Sequence, residues 1–293
     1  MGGNIALNMI RNEYPVILYN RSKDIYKNFK NNAYCANSIE DFVKKLRVQN
    51  KEVVIWLMLT SGEPTNSAID LLLKLLRKGD IVIDGSNSMY LNSVANSEKL
   101  GKKGIMYLDA GCSGGPSGAL NGMSIMVGGN KDAFKRLENL FKDLSVEGGY
   151  KYVGEAGSGH FVKMVHNAIE YGMMQSIGEG LELLSEGPYK NLDLEGICDL
   201  WNHGSVIRGY LIELAKRALE KDAKLSKIEP FVEDSGEGRW SVETAVNYAI
   251  PLPAITHSLY ERFSSRSKNR FSNKVLAALR HEFGGHEVKN IKK

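Results

Sequence analysis

The apolar residues of this 293-residue chain change their period once, near Gly154-Glu155-Ala156-Gly157-Ser158-Gly159, and that change limits the folds open to it. Before it, short β-branched or apolar runs alternate with helical stretches. Strands are expected at residues 16–20, 53–59, 80–84, 105–109 and 124–128, with helical periodicity at 67–78 and 93–102. Strands alternating with helices specify a parallel sheet wound on both faces. After the change the pattern is helical only, at residues 160–185, 194–203, 206–220, 242–249, 253–266 and 273–281. An α/β domain over residues 1–157 followed by an all-helical domain over 158–293 is the expected organisation.

Composition excludes several classes. Hydrophobic content of 43% and charged content of 25% are those of an ordinary globular protein. No apolar run nears the roughly 20 residues of a membrane helix. The opening Met-Gly-Gly-Asn-Ile has no basic segment leading into an apolar one, so no signal peptide is expected and a cytoplasmic location is. Cys35, Cys112 and Cys198 lie too far apart for a metal site or disulfide framework, and are read as reduced, buried thiols. A net charge of +4 does not call for nucleic acid, nor does any binding motif. The charge is uneven, with nine Lys/Arg against two Glu from Arg262 to Lys293, a tail that is either solvated or anion-binding.

The first half reads as a Rossmann-like fold entered late. Such a fold opens with a strand, then G-x-G-x-x-G, then a helix whose N-terminus holds the cofactor pyrophosphate. Here Met1-Gly2-Gly3-Asn4-Ile5 already looks like that helix, and residues 16–20 like the second strand. Gly2 takes the place of the last fingerprint glycine, which permits close helix–strand packing. The first strand and two glycines are absent, and a misassigned start or a trimmed chain explains this better than natural loss. Asn20-Arg21-Ser22 stands at the end of the second strand, where NAD enzymes place an acidic residue. A neutral amide, a guanidinium and a hydroxyl suit the 2′-phosphate of NADP instead.

The helix starting near Gly159 carries the chemistry. Lys163, His166, Asn167 and Glu170 fall at i, i+3, i+4 and i+7, one helical face. A polar stripe is usually just a solvated side. Around this one, Phe161, Val162, Met164, Val165, Ala168, Ile169 and Met173 are apolar nearly all round, so burial is expected. A buried Lys, His and Glu must be paired or face a cavity, and are candidates for acid–base work.

The segment Gly159-His-Phe-Val-Lys-Met-Val-His-Asn-Ala-Ile-Glu-Tyr-Gly172 resembles the signature of the decarboxylating 6-phosphogluconate dehydrogenases. Asp84-Gly85-Ser86-Asn87-Ser88 resembles a second motif of that family, with serine in place of a glycine. Ser113-Gly114-Gly115 with Gly118-Ala119 resembles its substrate loop, and Trp201-x-x-Gly204-x-x-x-Arg208, Gly238-Arg239-Trp240-Ser241 and Arg280-x-x-Phe283-Gly284-Gly285-His286 fit as well. The resemblance covers essentially the whole chain, which has room for one helical domain, as the family's short members do.

The resemblance implies oxidation of 6-phosphogluconate at C3 with reduction of NADP, or of NAD, then loss of CO₂ to give ribulose 5-phosphate, a step of the pentose phosphate pathway. Lys163 would be the base and Glu170 the acid that protonates the enediol, with His166 and Asn167 positioning hydroxyls. Asn87, Ser113, Gly114 and Gly115 would contact the substrate near the nicotinamide, and Gly2, Asn20, Arg21, Ser22 and Asn87 the cofactor. Tyr171, Arg208, Arg239, Ser241, Arg280 and His286 would surround the distal phosphate. Arg280 and His286 would reach in from a neighbouring subunit, which implies a homodimer or tetramer. Two alternatives stay open: another β-hydroxyacid dehydrogenase of the 3-hydroxyisobutyrate type, and a non-catalytic sugar-phosphate-binding protein.

Overall fold

The structure is a computed structural model that describes residues 1–29, 33–267, 269–285 and 287–289. The chain divides into two compact units, Met1–Asn167 and Ala168–Lys293. The division falls inside a helix rather than after Gly157, because the first turns of that helix pack directly on the sheet of the first unit.

The first unit contains strands β1 (Ile17–Leu18), β2 (Tyr34–Cys35), β3 (Val54–Leu57), β4 (Ile81–Asp84), β5 (Met106–Ser113), β6 (Met123–Gly129) and β7 (Ser145–Gly154). β3 to β7 form one sheet in sequence order, and β1 and β2 a separate parallel pair. β3, β4 and β5 are parallel, as their intervening helices require. The sheet is nevertheless mixed, since β6 runs antiparallel to β5. The helix Gly115–Asn121 between them is too short for a parallel crossover, so the chain turns back on itself.

Both faces of the sheet are buried, which explains the near-continuous apolar strands. Ile81 and Ile83 of β4 pack with Leu108, Ile125 and Phe141 on one side. Val82 packs with Ile55, Ile69, Leu72 and Leu100 on the other. Cys112 and Cys198 are buried and Cys35 is half-buried; all three are free thiols. Burial pushes the Cys112 thiol up to about 12.

A slot separates the two sheets. It is a cavity of about 650 Å³ flanked by residues 16–20 on the β1 side and 53–59 on the β3 side, with Gly2, Ile5 and Ala6 of the helix Gly2–Arg11 along it. The carbonyls of Val53 and Leu57 accept from Ile81 and Gly85 in the β3–β4 ladder, and those of Val16 and Leu18 from Tyr34 and Ala36. Peptide groups alternate sides along a strand. Those of Ile17 and Tyr19, and of Val54, Trp56 and Met58, therefore face the slot.

The second unit contains the remainder of the long helix Ser158–Glu186, then Leu194–Asn202, Tyr210–Lys221, Glu237–Asn247, Pro253–Ser265 and Phe271–Gly284. Cys198, Ile212 and Leu219 form a small core with Ile177, Leu181 and Trp201 packed against it. The helix expected from residue 206 starts at Tyr210, because Asn202 Oδ1 accepts from the Gly209 N–H and holds the preceding residues in a loop. That expected from 242 starts at Glu237, after Gly236 turns the chain at φ +108°. No described helix is long and apolar enough to cross a membrane.

One expectation fails within the chain itself. The helix Ser158–Glu186 is not buried all round: Phe161 is 36% exposed, Ile169 50% and Met173 52%. Its polar residue Lys163 is among the buried ones instead. Phe161 packs edge-on against Tyr90, while Ile169 and Met173 stay about half exposed.

Candidate active site

The site grows out of the contact between β5 and the start of the long helix. Successive side chains of a strand point to opposite faces, so Asp109, Gly111 and Ser113 share one. Asp109 is fully buried, and its two carboxylate oxygens accept from the N–H groups of Gly157 and His160, each at 2.8 Å. A β-carbon on Gly111 would come within 2.4 Å of Lys163 Cβ, so only glycine lets the helix lie this close. Ser113 Oγ stands 3.2 Å from His166 Nε2.

Lys163 is only 5% exposed. Its Nζ donates to Asn167 Oδ1 and lies 3.4 Å from His166 Nδ1. His166 Nδ1 is 3.0 Å from the same Asn167 oxygen, which can only accept. That assigns the ring proton to Nδ1 and leaves Nε2 to accept from the Ser113 hydroxyl. Lys163, His166, Asn167 and Ser113 thus form one hydrogen-bonded group. Glu170 is half-buried, one turn further along the same helix.

The loops at the C-terminal ends of the strands supply the other groups of this unit. Ser113 leads into Gly114 at φ +123° and Gly115 at φ +61°, conformations that L side chains rarely adopt. Asn87, after β4, also has positive φ, +49°, and its Oδ1 is buried with no hydrogen-bond partner among the described residues. An acceptor in that state suits a ligand hydroxyl or amide. At the opposite edge, Gly2 opens the first helix, where a β-carbon would lie 3.0 Å from Met58 Cβ. Asn20 donates from its N–H to Tyr26 and from Nδ2 to the Ser22 carbonyl, and Arg21 and Ser22 are exposed.

Within the second unit, Tyr171 is buried, its hydroxyl accepting from the Ser235 N–H at 3.1 Å while the Arg262 guanidinium lies 3.5 Å over its ring. Ser241 is buried on the helix Glu237–Asn247. Arg239 departs from expectation. Its guanidinium fork is taken by the Asp234 carboxylate at 2.8 and 3.0 Å, and Arg266 reaches the same carboxylate at 2.6 Å. Arg208 lies exposed in the loop before Tyr210, and Arg280 exposed on the helix Phe271–Gly284. His286 lies outside the described residues.

The Asp234 pair carries a stability prediction. The hydrogen bond from Arg239, against burial and aided by that from Arg266, holds the Asp234 carboxyl at about 2. A folded pKa below the unfolded value near 4 stabilises fully above pH 4, and the contribution is lost as pH falls toward 2. The loss amounts to about 2 kcal/mol. Urea unfolding from pH 5 to pH 2 is expected to show it in the parent chain and not in Asp234→Asn; equal pH slopes in both would refute it.

Sequence reasoning passed over Asp109, Gly111 and the buried His160, whose Nδ1 is 2.7 Å from Ser93 Oγ. The available signal was the two-residue spacing Asp109-x-Gly111-x-Ser113, once the strand is extended to Ser113. Asp234 had no such signal.

Residues 1–154 match the model of the NAD binding domain of 6-phosphogluconate dehydrogenase, and 159–293 that of the 6-phosphogluconate dehydrogenase C-terminal domain. A Bacillus subtilis relative with a provisional 6-phosphogluconate dehydrogenase name is 43% identical over 290 residues, 98% of this chain and 95% of its own length. The NAD(+)-dependent, decarboxylating 6-phosphogluconate dehydrogenase of Haloferax volcanii is 42% identical over 255 residues, 86% of this chain and 83% of that one. Among solved structures, a Plasmodium falciparum 6-phosphogluconate dehydrogenase, described with NADP+ and with 6-phosphogluconate, superposes with a TM-score of 0.83 at 29% identity. The match covers 100% of this chain and 65% of that one.

Proposed function

The chain belongs to the 6-phosphogluconate dehydrogenase family, and from that premise we propose that it oxidatively decarboxylates 6-phospho-D-gluconate to D-ribulose 5-phosphate and CO₂, reducing NADP or alternatively NAD. The observation that carries the reading is the buried Lys163 amine, grouped with His166, Asn167 and Ser113. An amine held out of water beside a histidine, an amide and a hydroxyl is placed to pass a proton to and from a bound hydroxyl group.

In this reading Lys163 takes the proton of the substrate's C3 hydroxyl. When bound, the nicotinamide ring accepts the hydride that leaves C3. The protonated Lys163 then donates to the new ketone oxygen and stabilises the negative charge that collects there as the carboxylate departs as CO₂. Glu170 protonates C1 of the enediol product. His166 and Asn167 hold the hydroxyls in line, and Asn87 with Ser113, Gly114 and Gly115 meets the carboxylate end. The cofactor residues are Gly2, Asn20, Arg21, Ser22 and Asn87. The tight Gly2–Met58 approach and the exposed, uncharged-to-basic turn after β1 suit a nucleotide with a 2′-phosphate.

Tyr171, Arg208, Ser241, Arg280 and His286 are the proposed phosphate residues, with Arg239 bound to exchange or share Asp234 if it joins them. Arg280 acts on a neighbouring subunit. The helix that carries it exposes Phe271 by 78%, Leu276 by 59% and Leu279 by 58%, an apolar surface that a second copy would cover. A cytoplasmic homodimer or tetramer is proposed. Arg280→Ala is expected to raise KM for 6-phosphogluconate by about 10- to 100-fold, one charge-assisted contact of roughly 1.5–3 kcal/mol, with kcat little changed. Mixing Arg280→Ala with an inactive Lys163→Ala chain is expected to raise turnover at low 6-phosphogluconate, because a mixed oligomer contains one intact site; no gain on mixing would contradict exchange of the tail.

A substrate panel tests the reading as a whole. Turnover with 6-phosphogluconate should far exceed that with 3-hydroxyisobutyrate or unphosphorylated gluconate, and the reverse order would overturn it.

A further inference from the structure

The first turn of the long helix is pressed against bare backbone. A β-carbon on Gly159 would lie 2.4 Å from the Asp109 carbonyl oxygen and 2.6 Å from that of Met126, and one on Gly128 would lie 2.6 Å from the Gly159 nitrogen. With Gly111 beneath Lys163, three glycines let helix and sheet backbones approach this closely. Such an approach brings the unpaired N–H groups of a helix start against strands whose own peptide groups are already used. Asp109 supplies the acceptors. One of its oxygens accepts from the Gly157 N–H and the other from the His160 N–H. A second tie comes from Ser93, whose hydroxyl meets the ring of buried His160.

Every second residue of β5 thereby meets every third residue of the helix: Asp109 at Gly157 and His160, Gly111 at Lys163, Ser113 at His166. We propose that Asp109 is a positioning residue for Lys163, an anchor that sets the rotation and height of the helix over β5 and so fixes where the amine stands beside Ser113, His166 and Asn167. Asp109 itself is fully buried, and its carboxylate is engaged by the Gly157 and His160 N–H groups. It acts through the helix, one turn before Lys163. The inference rests on the reading of Lys163 as the proton-transfer group.

A carboxylate is needed because two N–H groups must each find an oxygen. Asparagine keeps the shape but turns an NH₂ toward one of the amides, so the clamp opens without a cavity. Reacting groups displaced by about 1 Å lose on the order of 100-fold in rate. Asp109→Asn is therefore expected to lower kcat about 10- to 100-fold, with KM for 6-phosphogluconate within about threefold. Amide hydrogen exchange of residues 157–163 should accelerate at least about tenfold, and that of the distant β3–β4 ladder should not. Gly111→Ala keeps the Asp109 carboxylate but pushes on Lys163 Cβ and on the Gly159 carbonyl, so it lifts the helix off β5 and should lower kcat by at least a similar factor.

Leu72→Ala, in the core on the far side of the sheet, controls for lost stability and should leave kcat per folded molecule unchanged. The proposal is overturned if Asp109→Asn keeps its turnover, if its exchange is unaltered, or if its kcat falls only with the folded fraction. Normal kcat in Gly111→Ala overturns it too. A parent chain without turnover would defeat the dehydrogenase reading and not the anchor, which the exchange rates measure without substrate.

Discussion

Lys163→Ala is expected to lower kcat by roughly 1,000-fold or more while the protein remains folded. General acid–base groups contribute about 10² to 10⁴ in rate, and Lys163 is proposed to act twice, as base toward the C3 hydroxyl and as donor to the ketone oxygen. The fold should tolerate the loss. Removing the side chain leaves a small void, while the Asn167 oxygen keeps its contact with His166 Nδ1, so the cost is expected to stay within about 2 kcal/mol. Steady-state turnover and thermal unfolding check the two halves. Turnover within tenfold of the parent would remove Lys163 from the chemistry.

The second large effect concerns the slot between β1 and β3. A parallel strand placed there would hydrogen-bond the free edges on both sides, and its C-terminal end would meet the start of the helix Gly2–Arg11 beside Met58. Fusing an apolar strand of about five residues and a Gly-x-Gly-x turn ahead of Met1, so that Met1-Gly2 completes the fingerprint, is expected to tighten NADPH binding at least about 100-fold. Two backbone N–H groups brought to the pyrophosphate at roughly 1.5 kcal/mol each give that factor. The unfolding midpoint should rise as well, since the slot would be filled with apolar side chains. A fusion with unchanged affinity and stability would show that the slot is not a strand site. A fusion with the same residues scrambled is the control.

Much of this architecture could be read from the chain because strong periodicity and apolar content reinforce each other. β4, Ile-Val-Ile-Asp, is apolar on both faces, as a central parallel strand must be. The elements missed are those where this agreement fails. β2 is two residues long, too short to set a period. β7 carries Gly148-Gly149 and has no buried residue, so it reads as a turn. The sheet's reversal at β6 depends on the brevity of Gly115–Asn121, which propensity alone does not reveal.

The stripe from Lys163 to Glu170 was legible because helical spacing needs only local sequence. Its apolar flank misled, since a helix apolar all round can be covered by its own chain or by another, and here Ile169 and Met173 stay exposed. Asp109 lay hidden for a different reason. It sits 48 residues from Gly157 in the sequence, and nothing local marks a strand aspartate as the partner of a distant helix start. Arg239 was assigned to a phosphate by its motif, while its engagement by Asp234 depends on how a loop folds back onto the helix. Local chemistry survives in the sequence; pairings made by loops and by close backbone approach do not.

One stoichiometry tests the central claim most directly. The chain is incubated with 6-phosphogluconate and saturating NADP, and in parallel NAD, while reduced nicotinamide and released CO₂ are measured together. Oxidative decarboxylation predicts equal amounts of the two, abolished together in Lys163→Ala. Reduced nicotinamide formed without CO₂ would contradict it, and would place the chain with dehydrogenases that stop at the keto acid.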